Sequence, residues 1–230
     1  MPTPKLSRAP ASALAFKRRL LSWFRREGRA LPWRETRDPY SILVSEVMLQ
    51  QTQVSRVEDY YHRFLRSYPT VYDLAKARPK AVRESWAGLG YYRRAANLHA
   101  LAKTVVSDHD GVIPDDPDRL RALPGVGAYT AGAVATFAYE RRVPAVDTNV
   151  DRVLRRAFAP RTPRDARGTR KLHQLAMSII PRKGATAWEF NQALMDLGAL
   201  VCVARAPKCE GCPVRPACKI GKKQTRGAPS

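Results

Sequence analysis

The sequence predicts an all-α fold for this chain of 230 residues. Apolar residues recur at helical spacing in segment after segment, and no segment shows the every-second-residue alternation of a half-buried strand. Glycine and proline interrupt the helical segments, as they do in loops between helices. Because 44% of the residues are hydrophobic, the chain can bury a sizeable core, either as one large domain or as two small lobes.

About ten helices are expected, joined by short loops. The five clearest helices cover residues 11–27, 41–66, 147–158, 169–180 and 186–202. A loop at 28–40 contains two prolines, and a short helix at 68–78 precedes two longer helices that Gly88 and Gly90 separate. A further short helix, a glycine turn and an alanine-rich helix follow within residues 115–142.

The chain is strongly basic, with 41 Lys and Arg against 20 Asp and Glu and a formal net charge of +21. The excess is concentrated in residues 1–34, 151–183 and 202–230. Such a charge is typical of a protein that binds a polyanion. Nucleic acid is the expected partner, since basic membrane binders usually carry an amphipathic anchor or a lipidation signal. A basic protein without a nucleic-acid partner is the alternative.

No apolar run is long enough to span a bilayer, and the N-terminal residues lack the continuous apolar core of a signal peptide. We therefore expect a cytoplasmic, nucleoid-associated protein that has no membrane partner and acts as a monomer.

All four cysteines fall between positions 202 and 218, with the spacing C-x6-C-x2-C-x5-C. In a reducing compartment this clustering predicts metal or cluster ligation rather than disulfides. Zinc sites usually combine two close pairs of ligands, and here only one C-x2-C pair is present. A four-thiolate iron–sulfur cluster fits equally well, so chemistry alone leaves both possibilities open for Cys202, Cys209, Cys212 and Cys218.

The stretch LPGVGAYTA at 123–131 predicts a helix, a tight glycine turn and a second helix. We expect Gly125 and Gly127 to permit positive φ and a close backbone approach. The exposed N–H groups that start the next helix can then hold a DNA phosphate, a contact that carries no base specificity. The alternative is a plain corner between two helices.

Two acidic residues are candidates for chemistry. Glu46 lies in SEVMLQQTQV (45–54), where a polar Gln-Gln-Thr trio interrupts the apolar stripe of an amphipathic helix. Asp147 lies at a predicted helix start, where an N-cap role explains the residue type equally well. Glycosidic chemistry uses two carboxyl groups, one as an acid and one as an anion. The residues alone do not specify this pairing, because any two acids could be matched.

Six motifs occur in a characteristic order: SEVMLQQTQV, GLGYYRRAANLH, LPGVGAYTAGAVA, VDTNVDRVL, FNQALMDLGALVC and the cysteine spacing. Together they resemble the endonuclease III superfamily of helix-hairpin-helix DNA glycosylases, and within it most closely the adenine glycosylase (MutY) branch. The resemblance runs from about Leu31 to Cys218, which is most of the chain.

This resemblance implies an all-α, two-lobed helix-hairpin-helix DNA glycosylase fold with a C-terminal iron–sulfur cluster loop. A six-helix lobe is expected over 30–142, with the hairpin at about 118–135. Residues 1–29 and 143–220 are expected to form the second lobe around a 4Fe–4S cluster, followed by a disordered tail at 221–230. The cleft between the lobes is expected to take bent double-stranded DNA containing a mismatch, with the target nucleotide flipped out.

The resemblance also implies roles for individual residues. Glu46 is expected to protonate the departing purine at N7 and to activate a water. Asp147 is expected to stabilise the oxocarbenium ion, with Asn149 ordering that site. The residues expected to contact bases are Gln51, Thr52 and the wedge Tyr91 on the opposite base, Gln192 on the flipped adenine, and Arg34 and Trp33 near the pocket. Core packing is the alternative role for Trp33.

Position 129 separates subfamilies, because glycosylases that also cut the strand carry a lysine there for a Schiff base. Tyr129 therefore predicts a monofunctional glycosylase, and the resemblance to the adenine branch implies that it removes adenine opposite 8-oxoguanine or guanine. The chain is expected to lack the C-terminal domain with which adenine glycosylases recognise 8-oxoguanine. A thymine/uracil mismatch glycosylase is the alternative, although that branch tends to carry two arginines at the positions of Gln50 and Gln51. A non-catalytic DNA-binding module is the third possibility.

Overall fold

The computed structural model describes residues 9–224, which form twelve α-helices and no β-strand. The all-α prediction is therefore confirmed. The helices are α1 (Ala13–Glu27), α2 (Pro39–Leu49), α3 (Val54–Ser67), α4 (Val71–Lys76), α5 (Pro79–Ser85), α6 (Arg93–Asp108), α7 (Pro117–Arg121), α8 (Ala128–Phe137), α9 (Thr148–Phe158), α10 (Ala166–Ile179), α11 (Gly184–Asp196) and α12 (Lys219–Gln224). Within this described part, no helix has the length and apolar character needed to cross a membrane.

The chain divides into two compact units. One unit is continuous and consists of Ala30–Arg141. The other is discontinuous and combines Met1–Arg29 with Arg142–Ser230.

Helix α2 is the central helix of the continuous unit, where it packs against α3, α6 and α8. It begins at an Asp38 cap, whose carboxylate accepts a hydrogen bond from the Ser41 backbone N–H at 2.8 Å. Every residue from Ile42 to Met48 is buried, so the helix is enclosed on all sides rather than amphipathic as its sequence suggested. This enclosure carries Glu46 into the interior of the unit.

The helix expected over 41–66 is two helices. α2 ends at Leu49 and α3 begins at Val54, with Gln51 between them at a positive φ of 57°. The continuous unit therefore contains seven α-helices within its described residues, one more than the six expected. At the break the side chain of Arg94 hydrogen bonds to the carbonyl groups at the end of α2, which have no partner in the next turn of a helix.

The core of the discontinuous unit joins the two ends of the chain. α1 packs against α10 and α11, and its Phe16 and Leu20 are fully buried. The ring of Phe16 lies 4.8 Å from that of Phe158 in α9. The fully buried Asp196 accepts from the Arg29 guanidinium at 2.6 Å, which ties the end of α11 to the segment that follows α1.

The last predicted elements differ from the structure. The helix expected over 186–202 ends as α11 at Asp196 and continues as a π-helical turn over Leu197–Val201. Residues 221–224, expected to belong to a disordered tail, are part of α12. The reason is local, since Gly221 is buried and its N–H donates to the sulfur of Cys218 at 3.4 Å. The remaining tail residues, 225–230, lie outside the described residues.

Candidate active site

Glu46 is a buried carboxyl group, with only 4% of its surface exposed. Its neighbours on α2, Ser45 and Val47, are buried as well. Moving a carboxyl group out of water is costly, so a buried one is an unusual feature that points to a functional role.

Two exposed loops of the same unit carry residues expected to contact bases. Gln51 and Tyr91 are both exposed, and both have left-handed backbone conformations, with φ of 57° and 48°. Such conformations cost about 1–2 kcal/mol for residues other than glycine, and they cluster at functional sites. Thr52, beside Gln51, is half-buried.

The two loops are joined by Arg94, which sequence reasoning did not single out. Its guanidinium donates to backbone carbonyl groups in both loops and to the hydroxyl of Thr52 at 3.1 Å. A sequence signal was present, because Arg94 shares the buried stripe of α6 with Leu98, Leu101 and Val105. An arginine at a position where the helical period demands an apolar residue points to a buried, hydrogen-bonded role.

The predicted hairpin is formed by α7, a glycine turn and α8. Gly125 has a φ of 76°, and a Cβ there would lie 2.7 Å from the Cβ of Asn97. Gly127 was expected to share the positive φ, but it has an extended conformation with a φ of −88° and is the N-cap of α8. A Cβ at Gly127 would meet no protein atom within 4 Å. Space for a close ligand is therefore found at Gly127, whereas Gly125 is required by the fold itself.

Trp33, Arg34 and Tyr129 are the other predicted residues of this unit. Trp33 is buried, and its ring packs edge-on against that of Tyr61 with centroids 5.5 Å apart, as core packing requires. Arg34 ends the 3₁₀ turn Pro32–Arg34 and is half-buried, as is Tyr129 in the first turn of α8. The Gln50 side chain donates to the Thr130 hydroxyl at 3.4 Å and so links the end of α2 to α8.

Asp147 begins helix α9 as its N-cap. One carboxylate oxygen accepts from the Val150 N–H at 2.6 Å, and the other accepts from the Asn149 side-chain amide at 3.0 Å. Asn149 in turn accepts from Arg152 at 2.7 Å. The carboxyl group of Asp147 is thus held in one orientation.

The segment leading into Asp147 is fixed by Asn191, a residue that sequence reasoning missed. Its buried amide accepts from the Ala145 N–H at 2.9 Å and donates to the Val143 carbonyl at 3.1 Å. The sequence signal was an amide side chain among apolar residues in the segment FNQALMD, which indicates a buried polar group that needs hydrogen-bond partners. Gln192, the predicted adenine contact, is the next residue of α11 and is 5% exposed.

Two arginines of α9 hold the start of the cysteine segment. Arg152 donates to the carbonyl groups of Cys202 and Gly198, both at 2.8 Å. Arg156 donates to the Val203 carbonyl at 2.7 Å and lies 3.5 Å from the Cys202 sulfur. A continuous hydrogen-bonded path therefore runs from Asp147 through Asn149 and Arg152 to the backbone of Cys202.

The four cysteines line one cavity of about 30 Å³, together with apolar residues and the cationic residues Arg156, Lys208 and Arg215. Burial raises the pKa of the Cys212 thiol to about 11, and it also raises the pKa of Cys218. Within residues 9–224, no three Cys, His, Asp or Glu side chains are arranged to hold a single metal ion. The structure nevertheless brings the four thiols together around one cavity, as a shared metal centre requires.

The sequence profile of a family described as HhH-GPD superfamily base excision DNA repair protein matches residues 44–180. The chain belongs to this family. It is 48% identical over 196 residues to the adenine DNA glycosylase of Mycobacterium tuberculosis, covering 85% of this chain and 64% of that protein. The human adenine DNA glycosylase is 42% identical over 224 residues, which cover 93% of this chain and 41% of that protein. The chain thus spans less than two thirds of the length of each of these relatives.

A solved structure of a thermostable thymine-DNA glycosylase is also similar to this HhH-GPD chain. It has a TM-score of 0.85 and 32% sequence identity, and the match covers 92% of this chain and 97% of that chain. The helix-hairpin-helix glycosylase fold expected from the sequence is therefore confirmed.

Proposed function

We propose that this protein is a monofunctional DNA glycosylase that removes adenine mispaired with 8-oxoguanine or guanine. The observation that carries the proposal is the 48% identity to a protein named adenine DNA glycosylase over 85% of the chain. The substrate is double-stranded DNA containing the mismatch, bound by a monomer in the cytoplasm, at the nucleoid. The net charge of +21 supports a nucleic-acid partner.

The reaction we propose breaks the bond between C1′ of the sugar and N9 of adenine. Glu46 donates its proton to N7, so that adenine leaves as a neutral base with the bonding electrons. Asp147 stays ionised and stabilises the oxocarbenium ion that remains. Water then attacks C1′ and gives its proton to the Glu46 carboxylate, which leaves an abasic sugar and restores the acid. The burial of Glu46 and the fixed orientation of Asp147 support these roles.

Further proposed roles concern the bases and the backbone. Gln51, Thr52 and Tyr91 contact the base opposite the target, and Gln192 contacts the flipped adenine. Gly127 and the first N–H groups of α8 bind a DNA phosphate, supported by the open space at that glycine. Tyr129 has no amine, so no Schiff base forms there and the strand stays intact.

We also propose that Cys202, Cys209, Cys212 and Cys218 hold a 4Fe–4S cluster, which would fix the segment between the first and last ligand. The shared cavity of the four thiols supports this assignment. Iron and sulfide analysis with visible absorption tests it. About four iron atoms per chain are expected, whereas tightly bound zinc would refute the cluster.

A thymine or uracil glycosylase is the second candidate. The observation that favours it is the similarity to the thymine-DNA glycosylase structure, because the match covers 97% of the thymine-DNA glycosylase chain. Gln50 and Gln51 oppose it, because the thymine branch tends to carry arginines at those positions.

One experiment separates the candidates. Duplexes with A opposite 8-oxoguanine, A opposite G, T opposite G and U opposite G are incubated with the protein, and abasic sites are then cleaved with alkali. Product from the two adenine duplexes, and none without alkali, is expected. Product from only the T and U duplexes would establish the second candidate. Binding without product from any duplex would indicate a non-catalytic DNA-binding module.

A further inference from the structure

We propose that Arg94 is a positioning residue, which holds the loops of Gln51 and Tyr91 in one arrangement and thereby sets discrimination by the base opposite the target. This inference rests on the proposed function for the identity of the target base and for the contacts of Gln51 and Tyr91 with the opposite base. The contacts of Arg94 with the two loops are properties of the continuous unit.

One guanidinium reaches both loops. Its first terminal nitrogen donates to the carbonyl groups of Val47 at 3.0 Å and Met48 at 2.8 Å, and also to that of Gln50. Its second terminal nitrogen donates to the carbonyl groups of Leu89 at 3.1 Å and Gly90 at 3.2 Å, and to the Thr52 hydroxyl. The two loops lie some 40 positions apart in the sequence, and this one side chain connects them.

The position of these contacts within each loop carries the inference. The Gln50 carbonyl belongs to the peptide immediately before Gln51, and the Gly90 carbonyl to the peptide immediately before Tyr91. Both following residues have positive φ. A peptide fixed directly before a residue of fixed φ determines the direction of that residue's Cα–Cβ bond. Arg94 therefore sets the direction in which both exposed side chains leave the backbone.

Two further features favour arginine at this position. The carbonyl groups of Val47 and Met48 lie at the C-terminus of α2, where the helix dipole stabilises a cation. The guanidinium also lies 5.5 Å from the ring centroid of Tyr91, within cation–π range. Lysine cannot reproduce this geometry, because a single ammonium lacks the fork that serves two groups of acceptors.

The first test measures binding to duplexes that contain a stable abasic-site analogue opposite each of the four bases. The spread of Kd is the ratio of the weakest to the tightest Kd among the four opposite bases. In Arg94→Met this ratio should shrink by at least about fivefold. Arg94→Lys should fall between this variant and the wild type. Arg155→Met is the matched control, because Arg155 is also 8% exposed and also donates to loop carbonyl groups, at Thr162 and Pro163.

Thermal unfolding of each variant accompanies the binding measurements. Arg94→Met and Arg155→Met should both lower Tm, and only the former should reduce discrimination. An unchanged spread in Arg94→Met, or an equal reduction in Arg155→Met, would overturn the proposal. If Arg94→Met does not fold, the comparison of Arg94→Lys with wild type decides, since a spread equal to that of the wild type contradicts a positioning role.

A second test measures coupling between the two loops. Gln51→Ala, Tyr91→Ala and the double variant are compared for Kd, first in the wild-type background and then in the background of Arg94→Lys. In the wild-type background, the change in Kd of the double variant should differ by about threefold or more from the product of the two single changes. In the Arg94→Lys background this difference should be smaller. Equal coupling in both backgrounds would overturn the proposal. Because these readouts are binding constants, they stand even if no duplex yields excised adenine, which would refute only the proposed function.

Discussion

The side chain of Asp147 caps α9, and one substitution can separate this cap from the catalytic role proposed for the same carboxylate. Asparagine caps a helix as well as aspartate, so Asp147→Asn should change stability by less than about 0.5 kcal/mol. The neutral amide cannot stabilise an oxocarbenium ion, so single-turnover excision of adenine should fall by about 100-fold or more. Asp165→Asn is the control, because Asp165 caps α10 through the Gly168 N–H at 2.7 Å. Unchanged excision in Asp147→Asn would assign Asp147 to capping alone.

The two hairpin glycines should respond differently to the same substitution. Gly125→Ala introduces a positive-φ alanine and a contact with Asn97, so it should destabilise the protein by about 1–3 kcal/mol. Gly127→Ala meets only open space and should leave stability nearly unchanged, yet weaken DNA binding by occupying the space proposed for a phosphate. Urea unfolding and Kd for a mismatch duplex measure the two effects. Full DNA affinity in Gly127→Ala would show that no phosphate approaches there.

At the scale of elements, the π-helical turn after α11 packs closely against the start of α9. A Cβ at Gly198 would lie 2.7 Å from the Cβ of Asn149 and 3.2 Å from its backbone carbonyl. Gly198→Ala should therefore destabilise the protein by about 1–3 kcal/mol and displace Asn149. The single-turnover rate of excision should fall in the same variant. Unfolding measures the loss of stability, and single-turnover kinetics measure the loss of excision. Ala199→Ser, at an exposed position of the same turn, should change neither.

Helix α6 introduces a pH dependence through His99. Burial lowers the pKa of His99 below its usual value of 6.5, and the neighbouring Lys103 lowers it further. The unfolded chain therefore takes up a proton first as pH falls, so the stability present above pH 6.5 is lost as pH drops through the folded pKa.

The measurement is Tm from about pH 7.5 to about pH 5.5. A decline in Tm is expected for the wild type, with a shallower decline for His99→Gln. His173, whose pKa burial also lowers, should account for part of the remaining slope. If Tm falls equally steeply with pH in the wild type and in His99→Gln, His99 does not contribute to the pH dependence of stability.

The sequence predicted helices where a local signal existed and failed where a distant residue intervenes. The apolar period continues from Val44 to Phe64, so a single helix was expected there. The groups left at the break are hydrogen bonded by Arg94, more than 40 positions further on, and no local signal in 44–64 shows this contact. The N-cap role of Asp147 was predictable because a cap lies within one turn of the groups it serves. Asn191, by contrast, acts on a segment 46 positions away.

At the scale of the whole molecule, charge should dominate DNA affinity. The formal net charge of +21 implies several Lys and Arg contacts to phosphates, each of which releases counterions. For about six contacts, affinity should fall by about a thousandfold between 50 mM and 200 mM salt. Kd measured for an undamaged duplex across this range gives the number of contacts. A slope equivalent to fewer than about two phosphates would contradict this expectation.

The discontinuous unit has a consequence for synthesis on the ribosome. α1 is translated more than 150 residues before its partner α11. At about 5–20 residues per second, the apolar stripe of Phe16 and Leu20 remains for roughly 10–30 seconds without its native neighbours. Residues 30–141 can assemble during that interval, since their core is contiguous in sequence. The nascent chain therefore exposes the apolar stripe of α1 during this interval, and chaperones that recognise short apolar segments would bind it there.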